Sequence, residues 1–522
     1  MEILDVIRDT AFSKFGISML KPYQILVMER ILEQEEGAFV RHQLVILPTG
    51  TGKSVCFLVP AILCKGLTVI VYPLLALMND QKAKLEAGGV KCVVLRGGQT
   101  KEQRTALWRE LDNGTKIVLT TPETLLQKRV LGRLKRYKIS LFVIDEAHVI
   151  VQWGQDFRPE YFNLKKAVFE LLPKQVLGFT ATASETTVQM IWQRLFPAKP
   201  LVVRADADRE NIVYATYPTW DRTQGIVDIL RTCKKPALVF CRTRHETQQV
   251  CYDALRDLRD YDFPIKFYHA GLTRCEREAL EKWYSKTING VLVTTCAFGM
   301  GIDVKSIRTV IHHKLPKTVE EYLQESGRAG RDGQMSVAWV LRKLGDDEAG
   351  NPVAAIFAGS SCRRQALLRV LGQEKLDCVG CDVCLNNVQK TVNGQEVLEG
   401  LAKKYPFSFA LEDAAQLVTG SRNIAMAGYD ARFNPFYGTM SDWNSRRLKI
   451  AIKYACDVKA VKIGYVEFLK KGKLLYPTSI PLYNLIARVL GRLNSGYCWI
   501  IRKRRKLRES FTKVFCFREK AR

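Results

Sequence analysis

The chain has 522 residues, 47% hydrophobic and 25% charged, which excludes a disordered polymer and exceeds one ordinary core. Lys and Arg number 80 against 53 Asp and Glu, a formal charge of +27; this points to a polyanion and leaves nucleic acid, an anionic membrane surface or no partner open. The acidic start Met1-Glu2-Ile3-Leu4-Asp5 is unlike a secretory leader, and the most membrane-like stretch, 61–78, is interrupted by Lys65, Gly66 and Pro73, so a soluble protein with no membrane partner is expected. Most of the 15 cysteines stand alone in apolar runs, as Cys92, Cys241 and Cys296 do, and are expected to be small buried hydrophobes in a reducing compartment.

From about residue 40, apolar β-branched runs alternate with longer amphipathic segments: Leu44–Leu47, Thr68–Tyr72, Cys92–Leu95, Lys116–Thr120, Leu141–Ile144 and Val176–Phe179. This is the βαβ rhythm of a parallel sheet covered by helices. A polar linker is read at Arg204–Arg209, after which the rhythm restarts with Ala237–Cys241, Ile265–Tyr268, Val291–Thr295, Thr309–His312 and Ser336–Leu341. Two consecutive α/β lobes are predicted.

The first lobe opens on Leu47-Pro48-Thr49-Gly50-Thr51-Gly52-Lys53-Ser54, between a strand-like run and a helix-like segment. Thr49, Gly50, Thr51 and Gly52 form a loop whose backbone N–H groups can close around a phosphate, Lys53 can reach β/γ oxygens, and the Ser54 hydroxyl can sit on Mg²⁺. Leu47 stands where the strict pattern has its first glycine. Downstream, Leu141–Ile144 runs into Asp145-Glu146-Ala147-His148, placing two carboxylates at the carboxyl end of a strand, where open α/β sheets bind ligands. Asp145 can hold Mg²⁺ and Glu146 can orient and deprotonate an attacking water.

These motifs resemble superfamily 2 helicases, which also tolerate the missing glycine. The stretch Val151-Gln152-Trp153-Gly154-Gln155-Asp156-Phe157-Arg158-Pro159-Glu160-Tyr161 is similar to the aromatic-rich loop of RecQ DNA helicases. The resemblance continues through Phe179–Ala183, Phe240–Arg244, Tyr268–Leu272, Ala297–Asp303 and Gln324–Gly333, covering both lobes. It implies an ATP-dependent DNA helicase acting on single-stranded and forked or branched duplex DNA with 3′ to 5′ movement, in recombination and repair. Trp153 and Phe157 would stack on bases with Arg158 supplying charge. Gln324 belongs to the last motif; Arg328 and Arg331, spaced to share a face if the segment is helical, would reach the γ-phosphate from the second lobe. Lys21 and Gln24 fall in the adenine-reading segment. Here the chain departs from the family: Ile17 replaces an aromatic and Lys21 an arginine, which puts nucleotide selectivity in doubt, and Gln155 replaces a histidine.

After the lobes, Cys362, Cys378, Cys381 and Cys384, spaced C-x15-C-x2-C-x2-C, supply four soft ligands for a structural Zn²⁺, and RecQ proteins carry a similar module there. The segment between Arg331 and Cys362 is shorter than in bacterial members of the family, which implies a trimmed helical platform under the site. Helix-like pieces at Ala410–Val418, Phe436–Ser441 and Ser445–Ala455, then a hairpin from Val461–Tyr465 through the Lys470–Lys473 turn to Leu474–Tyr476, are consistent with a winged helix whose basic turn grips phosphates, a small helical accessory domain being the alternative.

The expected architecture is therefore α/β: two tandem RecA-like parallel-sheet lobes (1–205 and 206–345), a Cys₄ zinc-binding module (346–390), a winged-helix DNA-binding domain (391–500) and a basic tail (501–522). The expected cofactors are ATP, Mg²⁺ and Zn²⁺; single-strand-binding or repair proteins are the partner class that the family allows. A bacterial, nucleoid-associated cytoplasmic setting is expected, with a nuclear one as the alternative. Two other functions stay open: a superfamily 2 RNA helicase, and a non-catalytic DNA-binding scaffold.

Overall fold

The computed structural model describes residues 3–36, 42–48, 50–152, 159–296, 298, 304, 306–343, 350–374, 377–378, 380–406, 408–421, 431–457, 463–468 and 472–477. Thr49, Trp153, Gln155, Phe157, Arg158, most of 297–303, the hairpin turn at 469–471 and the basic tail lie outside them. By its internal contacts the chain forms two units: 1–217 with 222–342 and 347–389, and 218–221 with 343–346 and 390–522.

The first unit holds both predicted sheets. One has seven strands: β1 (Gln43–Ile46), β2 (Leu67–Val71), β3 (Val93–Leu95), β4 (Ile117–Thr120), β5 (Ile139–Ile144), β6 (Gln175–Thr180) and β7 (Leu201–Arg204), ordered β3-β4-β2-β5-β6-β1-β7 with every neighbouring pair parallel. β1, β2, β4, β5 and β6 are buried at every residue, as strands covered on both faces must be. Alternate side chains feed separate cores. Leu44, Ile46, Val69 and Val71 join one cluster, and Val45, Leu47 and Ile70 the other. β7 escaped the sequence reading because it is a short edge strand with only Val203 buried. The expected linker therefore starts inside a strand, at Arg204.

The second sheet has six strands, β8 (Ile212–Thr219), β9 (Ala237–Phe240), β10 (Ile265–Tyr268), β11 (Val291–Thr294), β12 (Thr309–His312) and β13 (Ser336–Lys343), ordered β10-β11-β9-β12-β13-β8. β8 was also missed, although its run Ile212-Val213-Tyr214-Ala215-Thr216-Tyr217 has the β-branched and aromatic content of a strand. Cys241 is buried as expected. Cys296 is exposed, because it falls just past the end of β11.

The cysteine module is stitched onto the edge strand β8. Cys381 pairs with Tyr214 in an isolated parallel bridge, Asp382 N–H donates to Tyr214 O (2.9 Å), and the Asp382 carboxylate accepts from Thr216 N–H (3.0 Å) and Oγ1 (2.7 Å). An edge that would otherwise offer unpaired backbone is thereby covered. Two short helices, Pro352–Ala358 and Arg363–Val370, lie before and after Cys362.

The second unit contains helices Gln395–Lys404, Leu411–Thr419 and Ser445–Asp457 and the antiparallel hairpin β14 (Ile463–Phe468) and β15 (Gly472–Pro477). Its core gathers Leu398, Leu401, Leu417, Leu448 and Ile452 with Trp220 and Trp443. Phe436–Ser441 is turn rather than helix: Gly438 takes φ +69°, and the Asn434 side chain and carbonyl accept from the backbone N–H groups of Phe436 and Tyr437. Among the described residues no helix is long and apolar enough to cross a membrane.

Candidate active site

Sheet order brings the candidate residues together. β1 and β5 flank β6, so the loop after β1, the carboxylates after β5 and the Thr180-Ala181-Thr182 segment after β6 emerge side by side at the carboxyl edge. Backbone bonds fix the register: Leu47 N–H donates to Thr180 O (2.9 Å) and Ala147 N–H to Phe179 O (2.7 Å).

Gly50 and Gly52 have φ of +80° and +82°, the left-handed conformation that a tight loop requires and that side chains with a Cβ resist. Ser54 caps helix Val55–Leu63 without using its hydroxyl on the cap, and Thr51 Oγ1 donates to Pro48 O (2.6 Å). Lys53 Nζ is buried, has no hydrogen-bond partner among the described residues and stands 3.8 Å from Glu146 Oε1. A buried ammonium lacking acceptors is suited to the oxygens of a bound phosphate.

Burial pushes the Asp145 carboxyl up, and the charge of Glu146 adds to it. Burial also pushes Glu146 up, but Lys53 first, then the neighbouring His148 ring and the guanidinium groups of Arg328 and Arg331, outweigh this and hold it below the ordinary carboxylate range. Glu146 also sits at φ +50°, a conformation that a non-glycine residue keeps only where its surroundings impose it. Asp145 Oδ1 accepts from Glu146 N–H (3.0 Å). Adjacent carboxylates, one resisting ionisation, have the chemistry of a site completed by a hard divalent cation.

His148 is buried, and its Nδ1 lies 2.9 Å from Thr180 Oγ1 and 3.4 Å from Glu146 Oε2. The Thr180 hydroxyl donates to Thr182 O (3.1 Å), so it accepts from His148, which assigns the Nδ1–H tautomer. Sequence reading had given His148 and Thr180 no role beyond the motif.

From the second lobe, helix Val319–Ser326 carries Gln324, and the chain then turns rather than continuing as a helix. Arg328 and Arg331 are brought to the site by that turn, with Gly330 at φ +56°, and not by a shared helical face. Arg328 is 6% exposed, and burial, then the charge of Arg331, pushes its pKa down to about 10. A Cβ placed on Gly50 would lie 3.6 Å from Arg331 Cγ, so this side chain lies along the phosphate loop. Glu320 Oε1 also reaches the first lobe, accepting from Ser184 N–H (3.3 Å) and Thr187 Oγ1 (3.2 Å).

Gln24 Nε2 donates to Thr51 O (3.1 Å) and Gly52 O (3.4 Å), and its Oε1 accepts from Lys21 N–H (2.8 Å). Tyr23 OH donates to Thr51 O (3.2 Å), while the Lys21 ammonium stands 5.8 Å from the Tyr23 ring centre. The segment read as adenine-binding thus touches the phosphate loop directly. Thr49, Trp153, Phe157 and Arg158 fall outside the described residues.

The four cysteine Sγ atoms at 362, 378, 381 and 384 lie within 4.8 Å of one another, with Cys381 and Cys362 4.0 Å apart. Tetrahedral Zn–S bonds of about 2.3 Å would set the sulfurs about 3.8 Å apart, so the cluster fits zinc. Backbone N–H groups already point at the sulfurs, Cys384 at Cys381 (3.4 Å) and Gln365 at Cys362 (3.5 Å).

Residues 21–191 match the DEAD/DEAH box helicase family and 221–333 the helicase conserved C-terminal domain. The chain is 32% identical to the ATP-dependent DNA helicase RecQ of Pasteurella multocida over 72% of its own length and 62% of that protein's. With the probable ATP-dependent DNA helicase RecS of Bacillus subtilis it shares 33% identity over 70% of this chain and 72% of the relative. Among solved structures it is similar to the DUF1998 helicase MrfA bound to DNA (19% identity, TM-score 0.55, 69% of this chain and 54% of that one). The DEAD-box helicase Mss116 bound to single-stranded RNA is similar at 19% identity and a TM-score of 0.56, covering 87% of this chain and 92% of that one. At that identity these structures speak to the fold of the lobes.

Proposed function

The chain belongs to the RecQ family of superfamily 2 DNA helicases, and on that premise we propose that it is an ATP-dependent motor that unwinds duplex or branched DNA. The observation carrying this reading is the meeting at the phosphate loop of a buried ammonium with no hydrogen-bond partner among the described residues, the Glu146 carboxylate beside it, and Arg331 from the opposite lobe, with Arg328 near enough to act on the Glu146 charge.

In this reading Gly50, Thr51 and Gly52, with Thr49, close around the phosphates of ATP, and Lys53 takes a β/γ oxygen. Ser54 and Asp145 would hold Mg²⁺, which supplies charge to the phosphate oxygens when bound. Glu146, kept ionised by the surrounding cations, orients and deprotonates the attacking water. Arg328 and Arg331 stabilise the charge that builds on the transferred phosphoryl group, with Gln324 beside them, so hydrolysis requires the lobes to be together. Lys21 and Gln24 read the base. Repeated closure moves the motor along one strand, 3′ to 5′ by the family rule, while Trp153, Phe157 and Arg158 couple base stacking to hydrolysis.

Cys362, Cys378, Cys381 and Cys384 would hold Zn²⁺ as a structural ion that fixes the module against β8. The helices and the hairpin among the described residues of the second unit support a winged-helix duplex grip over 391–500, and the tail at 501–522 adds positive charge. Partners are then forked or branched DNA and single-strand-binding or repair proteins, in a bacterial, nucleoid-associated cytoplasm, with a nuclear setting as the alternative.

The test is steady-state ATP hydrolysis with and without single-stranded DNA, RNA in parallel, and unwinding of a 3′-tailed duplex. DNA-stimulated hydrolysis with unwinding is expected. Stimulation by RNA instead would favour the RNA-helicase reading, for which the Mss116 likeness speaks only at the level of fold. DNA binding without hydrolysis would indicate a scaffold.

A further inference from the structure

We propose that Arg209 is a positioning residue for ATP hydrolysis: from the connection between the lobes it holds the turn that presents Arg328 and Arg331, while Arg364 of the cysteine module anchors that connection. This rests on the assignment of Arg328 and Arg331 to the transferred phosphate.

Helix Val319–Ser326 ends just before the arginines, and the last carbonyls of a helix lack intrahelical partners. Arg209 supplies partners at and just beyond that end. Its Nη1 donates to Gly327 O (3.2 Å), and its Nη2 to Ala329 O (3.2 Å) and Gly330 O (2.8 Å). These three carbonyls bracket Arg328 on both sides and immediately precede Arg331, so a single guanidinium fixes the backbone from which both side chains project. Asn211 adds a second hold, with Nδ2 donating to Gly330 O (2.8 Å) and Gln334 O (2.9 Å). The clamp is close enough that a Cβ on Gly330 would fall 2.4 Å from Asn211 Nδ2.

Residues 205–211 join β7 of the first lobe to β8 of the second, so the clamp comes from the one segment that belongs to both lobes. That segment is itself anchored. Arg364, 1% exposed, donates to Arg209 O (2.9 Å), Ile212 O (2.6 Å) and Gly380 O (3.1 Å), and pairs with the Asp208 carboxylate. Gln373 bridges the preceding residues, accepting from Ala207 N–H (2.9 Å) and donating to Ala205 O (3.0 Å). Movement between the lobes must pass through this connection, and Arg209 ties such movement to the arginine turn. Lysine would keep the charge but lose the planar fork that serves three carbonyls at once.

The experiment compares Arg209→Lys, Arg328→Ala, Arg331→Ala and the double variant Arg209→Lys/Arg331→Ala in the full chain. It measures kcat and KM for ATP at saturating single-stranded DNA, the Kd of a fluorescent ADP analogue, and the thermal midpoint. Arg209→Lys is expected to lower kcat about 10- to 100-fold with KM and ADP Kd within about twofold, and to cost clearly less than that factor when added to Arg331→Ala, what remains being its effect through Arg328. Wild-type kcat in Arg209→Lys beside a crippled Arg331→Ala overturns the positioning role alone, as does a multiplicative loss in the double variant. If Arg328→Ala and Arg331→Ala both hydrolyse normally, the arginine assignment falls, and the role of Arg209 with it. Should Arg209→Lys fail to fold, Asn211→Ala reads the second hold. A kcat lowered about three- to tenfold at unchanged KM supports the clamp, and an unchanged kcat overturns it.

Discussion

The Lys53 ammonium stands 3.8 Å from the Glu146 carboxylate, with side chains only 12% and 15% exposed. That separation is too long for a hydrogen bond, so the lysine offsets the charge of the glutamate without spending its donors. Lys53→Ala should lower ATP turnover by at least about 100-fold with single-stranded DNA affinity retained within about twofold. Glu146→Gln should lower turnover as far while keeping ATP affinity, because only the base is lost. Nucleotide titration with single-turnover hydrolysis separates the two, and near-normal turnover in Lys53→Ala would remove the phosphate-loop assignment.

His148 and Thr180 form a buried hydrogen bond that links the carboxylate segment to the segment after β6. Thr180→Val keeps the shape but removes both the acceptor for His148 and the donor to Thr182 O. A buried group left unpaired costs about 1–3 kcal/mol, so a lower thermal midpoint is expected, together with reduced kcat as Glu146 loses an oriented neighbour. A variant as stable and as active as the parent would show that the contact carries neither load.

The parallel strands were legible because a strand buried on both faces must be a continuous apolar run, as Leu141–Ile144 and Val291–Thr294 are. β7 was not, since an exposed edge strand imposes no such pattern. The nearness of Lys53 to Glu146 could be anticipated because the proposed phosphate and water chemistry asks for particular side chains beside particular strand ends. Arg209 could not. Its partners are main-chain carbonyls of Gly327, Ala329 and Gly330, which leave no mark on residue choice beyond the small residues themselves. The spacing of Arg328 and Arg331 would put them on one face only in a helix; the chain is a turn there, with Gly330 left-handed and the Arg331 side chain along the phosphate loop.

The cysteine cluster predicts one zinc per chain by elemental analysis of protein purified without chelators. Cys381→Ser should lose most of it. Because the neighbouring Asp382 joins β8 to the buried Arg363, loss of the ion should loosen this edge while both sheets persist. Limited proteolysis should then cut within about 350–390 first, with the far-ultraviolet circular dichroism little changed. Full-length protein that lacks zinc yet resists protease like the parent would argue that the thiols alone hold the module.

His313 follows β12 and is buried, and burial pushes its pKa from 6.5 down to about 4, against the pull of Glu246 and with the help of Arg222 and Lys314. The unfolded chain therefore takes up a proton near pH 6.5 that the folded lobe refuses until about pH 4, so stability rises with pH across this window and is lost on acidification. The whole interval is worth about 3 kcal/mol, and the part between pH 6.5 and 5 about 2 kcal/mol. His313→Gln removes the titration. Whatever that variant loses in packing at pH 7.5, its thermal midpoint should fall less than the parent's when the pH is lowered to 5. Parallel declines in the two proteins would mean that His313 is protonated as readily in the folded lobe as in the unfolded chain.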